Sequence, residues 1–211
     1  MRGESANHLL PQSLKLGRVN ARVVVLLSGT GTLCQALFDA IDEGVVDAEV
    51  VAVVSDQRDA LGLERARRRG IPAVAHPLAK GADRAAWDVE LRDIVASYRP
   101  DLVASAGFMK LLGPAFLGAF GGRTINTHPA LLPSFPGMHG PRDALRAGVK
   151  VSGATVFLVD AGVDTGKILL QGAVEVLDDD TVDTLHERIK VVERRLLVKA
   201  VAEWSPASTH N

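Results

Sequence analysis

Arg22-Val23-Val24-Val25-Leu26-Leu27-Ser28-Gly29-Thr30-Gly31-Thr32-Leu33-Cys34-Gln35-Ala36-Leu37 is the stretch from which the fold class follows. Its opening run, Arg22 to Leu27, is short, β-branched and apolar, the pattern of a strand covered on both faces. Ser28 to Thr32 forms a Gly-rich turn, and from Leu33 to Ile41 the apolar residues recur at helical spacing. The unit then repeats. Glu49–Val54 reads as a second strand, and Leu61–Arg69 as a helix with Gly70 at its C-cap. A short strand follows at Pro72–Ala75. Asp83 is placed to cap the amphipathic helix Arg84–Tyr98, Asp101–Ala106 is the next strand, and Pro114–Phe120 is a short helix. Such alternation predicts an α/β chain with a mostly parallel, Rossmann-like sheet flanked by helices.

The second half changes pattern. Val151–Val159 and Ile168–Val176 read as paired strands around the turn-rich Asp160–Gly166, which adds antiparallel strands to the sheet. Pro141–Ala147 reads as a small helix closed by Gly148, and Thr181 caps a last helix from Val182 to about Trp204. Neither a repeat nor a linker interrupts residues 21–204, so a single domain is expected there. A flexible extension over 1–20 and a tail over 205–211 flank it.

Of the 211 residues, 47% are hydrophobic and 23% charged, with a net charge of -1. That balance gives no general attraction to nucleic acid or an anionic membrane, so any anion site must be local. The single cysteine, Cys34, excludes an internal disulfide framework and a Cys-rich zinc site, and points to a reducing cytoplasm. No apolar run reaches membrane-spanning length, and Met1–Arg18 lacks a signal-peptide core.

The Ser28–Thr32 turn joins a buried strand to a helix, a setting in which backbone amides face an anion. Gly29 and Gly31 begin a G-x-G, but Cys34 occupies the place of the last dinucleotide-fingerprint glycine, and no Gly-Lys-Ser/Thr follows. A phosphate monoester on a small metabolite suits it better than NAD or ATP. An ordinary βα turn is the plain alternative.

Ile125-Asn126-Thr127-His128-Pro129 carries the chemistry. In a strand, Asn126 and His128 share a face, Thr127 takes the other, and Pro129 ends the strand. An amide donor and an imidazolium side by side can stabilise an oxyanion growing on an acyl carbon. Asp164, in the Gly-flanked turn, can return a carboxylate that favours the imidazolium. A lone His beside a Pro is otherwise a hydrogen-bonded structural residue. There is no G-x-S-x-G elbow and no metal-ligand spacing, so direct transfer without a metal is expected. Gly107–Leu112 can wall an apolar pocket for a flat heterocycle, or simply pack as a strand end. The Arg65, Arg67, Arg68 and Arg69 run is read as a solvated helix face without a role.

Together, Val24–Thr32, Gly62–Ala66, Ala106–Met109, Ile125–Pro133 and Gly162–Gly166 resemble the glycinamide ribonucleotide (GAR) formyltransferases, within the group of enzymes that use 10-formyltetrahydrofolate. The resemblance spans Ala21 to about Trp204. It implies transfer of a formyl group from 10-formyltetrahydrofolate to GAR in purine synthesis, with Asn126, His128 and Asp164 as the catalytic trio. It further implies that Gly31, Thr32 and Leu33 hold the GAR phosphate and that Lys190, Val191, Val192 and Glu193 reach the same substrate. The folate would lie on Arg84, Met109, Lys110, Leu111, Leu112, Asn126 and the loop Asp160, Ala161, Gly162, Val163 and Asp164. A cytoplasmic enzyme with small-molecule substrates is implied, and a homodimer is compatible with it.

Three departures stand out. Leu33 replaces the usual Asn of the phosphate loop, Phe157 replaces a frequent His near the catalytic Asp, and the chain stops at Asn211 where relatives often add a strand. Leu33 removes a side-chain contact but no backbone amide, and Phe157 is expected to leave Asp164 one partner fewer. Two rival readings are folate relatives: a tRNA formyltransferase would carry a further basic domain, and a formyltetrahydrofolate hydrolase an N-terminal regulatory one. A non-catalytic nucleotide-binding module is the third, and it has no use for Asn126, His128 and Asp164 together.

Overall fold

The computed structural model describes residues 20–204; the expected extension before them and the tail after them lie outside the described residues. The strands are β1 (Ala21–Leu27), β2 (Ala48–Ser55), β3 (Ala73–Ala75), β4 (Leu102–Ser105), β5 (Thr124–His128), β6 (Val151–Leu158) and β7 (Ile168–Glu175). The helices are α1 (Thr32–Asp42), α2 (Leu61–Arg68), α3 (Arg84–Ser97), α4 (Pro114–Phe120), α5 (Gly140–Ala147) and α6 (Val182–Ala202). All described strands join one seven-stranded sheet in the order β3-β2-β1-β4-β5-β6-β7. β3, β2, β1, β4 and β5 pair in parallel, whereas β6 pairs antiparallel with both β5 and β7. The expected mixed sheet is thus realised.

Burial explains why β1 lacks alternation. Val23, Val25 and Leu27 face a core shared with α1, α2 and α6, while Val24 and Leu26 face a second core closed by Trp87, Leu91, Val95, Phe116 and Phe120. Both sides of the strand are dry, so both carry apolar residues. Chain order then sets the position of the site. From β1 the chain moves to β2 and β3 on one side, then crosses to β4 on the other, opening a crevice at the carboxyl ends of β1 and β4. Ser28 and Gly107 face each other across it, with the Ser28 N–H donating to the Gly107 carbonyl at 3.0 Å.

Helix ends follow the local chemistry. Asp83 accepts the amides of Ala85 and Ala86, and Thr181 with Thr184 forms a capping box on α6. The start of α4 at Gly113 has no cap of its own. Its amides are taken by Asp88 of α3, buried, which accepts from Gly113 (2.7 Å), Ala115 (2.9 Å) and Phe116 (3.1 Å). No described helix is long and apolar enough to cross a membrane.

Candidate active site

A cleft of about 880 Å³ opens at the carboxyl ends of the strands, lined by the loop after β1, the segment after β4, β5, the loop after β6, and one face of α6. That volume suits a drug-sized ligand or larger.

The loop after β1 turns into α1 through Gly31, which adopts φ +70. A Cβ there would lie 2.6 Å from the Gly62 Cα, so the left-handed turn and the close approach of α2 both require glycine. α2 also braces the loop through its backbone: the Gly62 N–H donates to the Gly29 carbonyl at 3.1 Å. Arg65 Nε donates to the Thr30 carbonyl at 2.8 Å, and its Nη1 to Gln35 at 3.1 Å. This corrects the reading of the arginine run. Arg65 holds the loop and Arg69 pairs with Asp42, whereas Arg68 makes an exposed i,i+4 pair with Glu64. Thr32 and Leu33, in the first turn of α1, line the cleft, and the amides of a helix's first turn have no intrahelical acceptor whatever the side chain.

β5 delivers Asn126 and His128 into the cleft and ends before Pro129, as its spacing predicts. Thr127, on the opposite face of β5, also lines the cleft and lowers the pKa of Glu193, although its Oγ1 makes no well-formed hydrogen bond. His128 is 4% exposed. Its Nε2 lies 2.8 Å from the Phe135 carbonyl, and its Nδ1 3.4 Å from Asp164 Oδ2. Both ring nitrogens therefore face oxygen acceptors, which the doubly protonated ring satisfies at once. The same Oδ2 of Asp164 accepts the Gly137 N–H at 2.7 Å. Phe135 and Asp164, with φ 56 and 55, are two of the three non-glycine residues in the left-handed region among the described residues. Asp tolerates that conformation; a bulky Phe does so at a cost. Phe157, buried on β6 opposite Asn126, lines the cleft and offers Asp164 no polar group.

The segment after β4 forms the apolar wall. Phe108, Met109, Leu111 and Leu112 line the cleft, and Met109 and Leu111 are exposed at its mouth. Arg84 sits at the rim, outside the lining, where it donates to the Leu111 carbonyl and lies over the Trp87 ring. Val159 to Asp164 forms the facing wall, with Asp160 accepting from the Gly162 amide and the Thr165 hydroxyl.

On α6, Val182, His186, Lys190, Glu193 and Arg194 face the cleft. The continuous run Lys190 to Glu193 is therefore met at its two ends only. Val191 is 58% exposed and Val192 packs against the core, because residues on one helix face recur every three or four positions. Glu193 is 5% exposed, and burial pushes its carboxyl up to about 7 against the pull of Thr127, Lys190 and Arg194. His186 and Arg194 escaped the sequence reading, although the spacing from Lys190 and Glu193 points to both.

Residues 21–201 match the family model described as Formyl transferase. The chain belongs to the formyl transferase family. It is 59% identical over 182 residues to the phosphoribosylglycinamide formyltransferase of Mycobacterium tuberculosis, covering 86% of this chain and 84% of that one. It is 41% identical over 176 residues to the phosphoribosylglycinamide formyltransferase of Escherichia coli strain K12, covering 82% of each. Among solved structures, glycinamide ribonucleotide transformylase 1 from Symbiobacterium toebii superposes with a TM-score of 0.84 at 46% identity, covering 87% of this chain and 86% of that one.

Proposed function

We propose that this formyl transferase moves a formyl group from 10-formyltetrahydrofolate to the amine of glycinamide ribonucleotide. The observation that carries the reading is His128 held between the Asp164 carboxylate and the Phe135 carbonyl, beside Asn126, in a cleft that continues into the Gly31–Leu33 turn. Identities of 59% and 41% with phosphoribosylglycinamide formyltransferases support the choice of acceptor.

In this reading Gly31, Thr32 and Leu33 receive the phosphate on backbone amides at the start of α1. Lys190 adds positive charge and Glu193 accepts from the ribose hydroxyls. The folate lies between Met109–Leu112 and Asp160–Asp164, whose backbone groups match the polar edge of a pterin, while Arg84 fixes the Leu111 carbonyl from behind. The GAR amine attacks the formyl carbon and forms a C–N bond. Asn126 and the His128 imidazolium stabilise the oxyanion on the resulting tetrahedral adduct. The bond from that carbon to N10 then breaks, and the proton leaving the amine reaches N10 through a water held near Asp164. Asp164 orients the ring throughout.

The reading includes a cytoplasmic location, supported by a chain whose lone cysteine is buried and free. It also includes a homodimer, to be measured by light scattering. The direct test mixes protein, 10-formyltetrahydrofolate and GAR and follows release of tetrahydrofolate. Amine-dependent turnover is expected; release driven by water alone, or by formylatable tRNA, would replace the proposal.

A further inference from the structure

At the carboxyl ends of three neighbouring strands sits a polar chain outside the catalytic trio. Asp56 follows β2, Ser28 follows β1, and Lys110 belongs to the segment after β4. Asp56 is 2% exposed and accepts the Ser28 hydroxyl at 2.5 Å and Gln57 Nε2 at 2.9 Å. Lys110 Nζ lies 3.5 Å from its second oxygen. Ser28 Oγ, having donated its proton to Asp56, accepts the Met109 N–H at 2.8 Å, while the Ser28 N–H donates to the Gly107 carbonyl at 3.0 Å.

A buried carboxylate is tolerated only where donors surround it, and here every donor belongs either to its own neighbour Gln57, to the loop after β1 or to the segment after β4. Ser28 is the first residue of the turn that ends in the α1 amides. Met109 and Lys110 begin the apolar wall. The two walls of the cleft are therefore joined at their roots through one hydroxyl and one carboxylate, and a shift of either root moves the other.

We infer that Ser28 and Asp56 are positioning residues that couple the phosphate turn to the Gly107–Lys110 segment, so that the phosphate-bearing substrate and the folate tighten each other's binding. The inference rests on the proposed placement of the two substrates. Asp56 fixes the rotamer of Ser28 and directs its lone pairs at Met109; it touches neither substrate. Ordering the turn around a phosphate then fixes Ser28, and with it the backbone on which a folate would lie. Linkage makes the effect reciprocal.

The test uses the full chain with GAR and tetrahydrofolate, a pair that carries no formyl group and so cannot react. Calorimetric titration of tetrahydrofolate, with and without saturating GAR, gives the coupling factor. In the wild type GAR should tighten tetrahydrofolate about fivefold or more, and tetrahydrofolate should tighten GAR by the same factor. In Ser28→Ala and Asp56→Asn the factor should fall within about twofold of unity, and Ser28→Thr, which keeps the hydroxyl, should retain it. A purely structural role would lower the melting temperature and weaken each ligand alone while leaving the ratio unchanged, and that result overturns the inference. So does a wild type without coupling. If Asp56→Asn fails to fold, Ser28→Ala, at a half-buried position, decides. Wild-type turnover with 10-formyltetrahydrofolate, measured in parallel, separates the two ideas: turnover with unaltered coupling in the variants sinks the relay alone, and binding without turnover sinks the activity.

Discussion

Asp164 Oδ2 stands 3.4 Å from Nδ1 of His128 while accepting the Gly137 N–H at 2.7 Å, so one carboxylate oxygen serves both the ring and the loop that follows β5. Asp164→Asn keeps the shape and an oxygen for Gly137 but removes the charge facing the ring. In steady-state kinetics it should lower kcat by about 10²-fold with little change in the KM for GAR, and His128→Ala should do the same or more. A loss confined to KM would move both residues from catalysis to binding.

Glu193 links stability to pH. Its folded pKa, about 7, stands above the ordinary 4.5 because burial disfavours the charge. The stabilising contribution is complete below about 4.5 and is lost as pH rises toward 7, because the unfolded chain ionises first. Above that value no further loss arises from this group. Glu193→Gln has no proton to lose, so its stability relative to the wild type should climb between those two values and level off above. Urea denaturation across that range checks it; a flat difference would refute the assignment.

Gly31→Ala should damage the turn and the fold together. The left-handed φ of +70 costs an alanine about 1–2 kcal/mol, and its Cβ would meet the Gly62 backbone at 2.6 Å. A melting temperature lowered by about 4 °C or more is expected for a domain of this size, with a raised KM for GAR. An unchanged melting temperature would show that α2 yields without cost.

Asp88→Ala removes the remote cap of α4 and leaves three buried or half-buried amides without their acceptor. Loss of charged hydrogen bonds of this kind costs about 2–3 kcal/mol. Gly113 also anchors the end of the apolar wall, so the KM for the folate should rise more than that for GAR. Equal effects on both substrates would mean that the wall does not depend on this anchor.

Cys34 should resist thiol reagents. Burial pushes its thiol up to about 12, against the weaker opposing pull of Arg65 and Arg69, so little thiolate exists at neutral pH. Ellman titration should find it unreactive in the native state and reactive in denaturant; rapid native labelling would contradict the buried position.

What sequence could reveal divides along physical lines. The dry strand Val23–Leu27, the cap at Asp83 and the break at Pro129 are local effects of burial, hydrogen bonding and a missing amide, and each is visible in a window of a few residues. The sharing of a cleft by Asn126 and His128 follows from a two-residue period. The return of Asp164 to His128 does not: the Gly-flanked turn allows it, and the family resemblance singles it out. Asp56, Asp88 and Arg65 were not legible, because each acts on backbone or hydroxyl groups 25 to 35 positions away along the chain, reached through space alone. Such contacts leave no periodic trace. Val191 and Val192 show the opposite case, since the period of α6 already turns them away from Lys190 and Glu193.

Phe135 holds its carbonyl against His128 from a backbone conformation that glycine would adopt without penalty. If His128 acts as proposed, folding and chemistry pull in opposite directions at this position. A chain selected for thermal endurance alone would relax the turn, and the ring of His128 would gain freedom it does not now have. The bend at Phe135 makes the native state slightly less secure while holding the imidazole in one orientation, which in the proposed mechanism is the aim it needs when a substrate arrives.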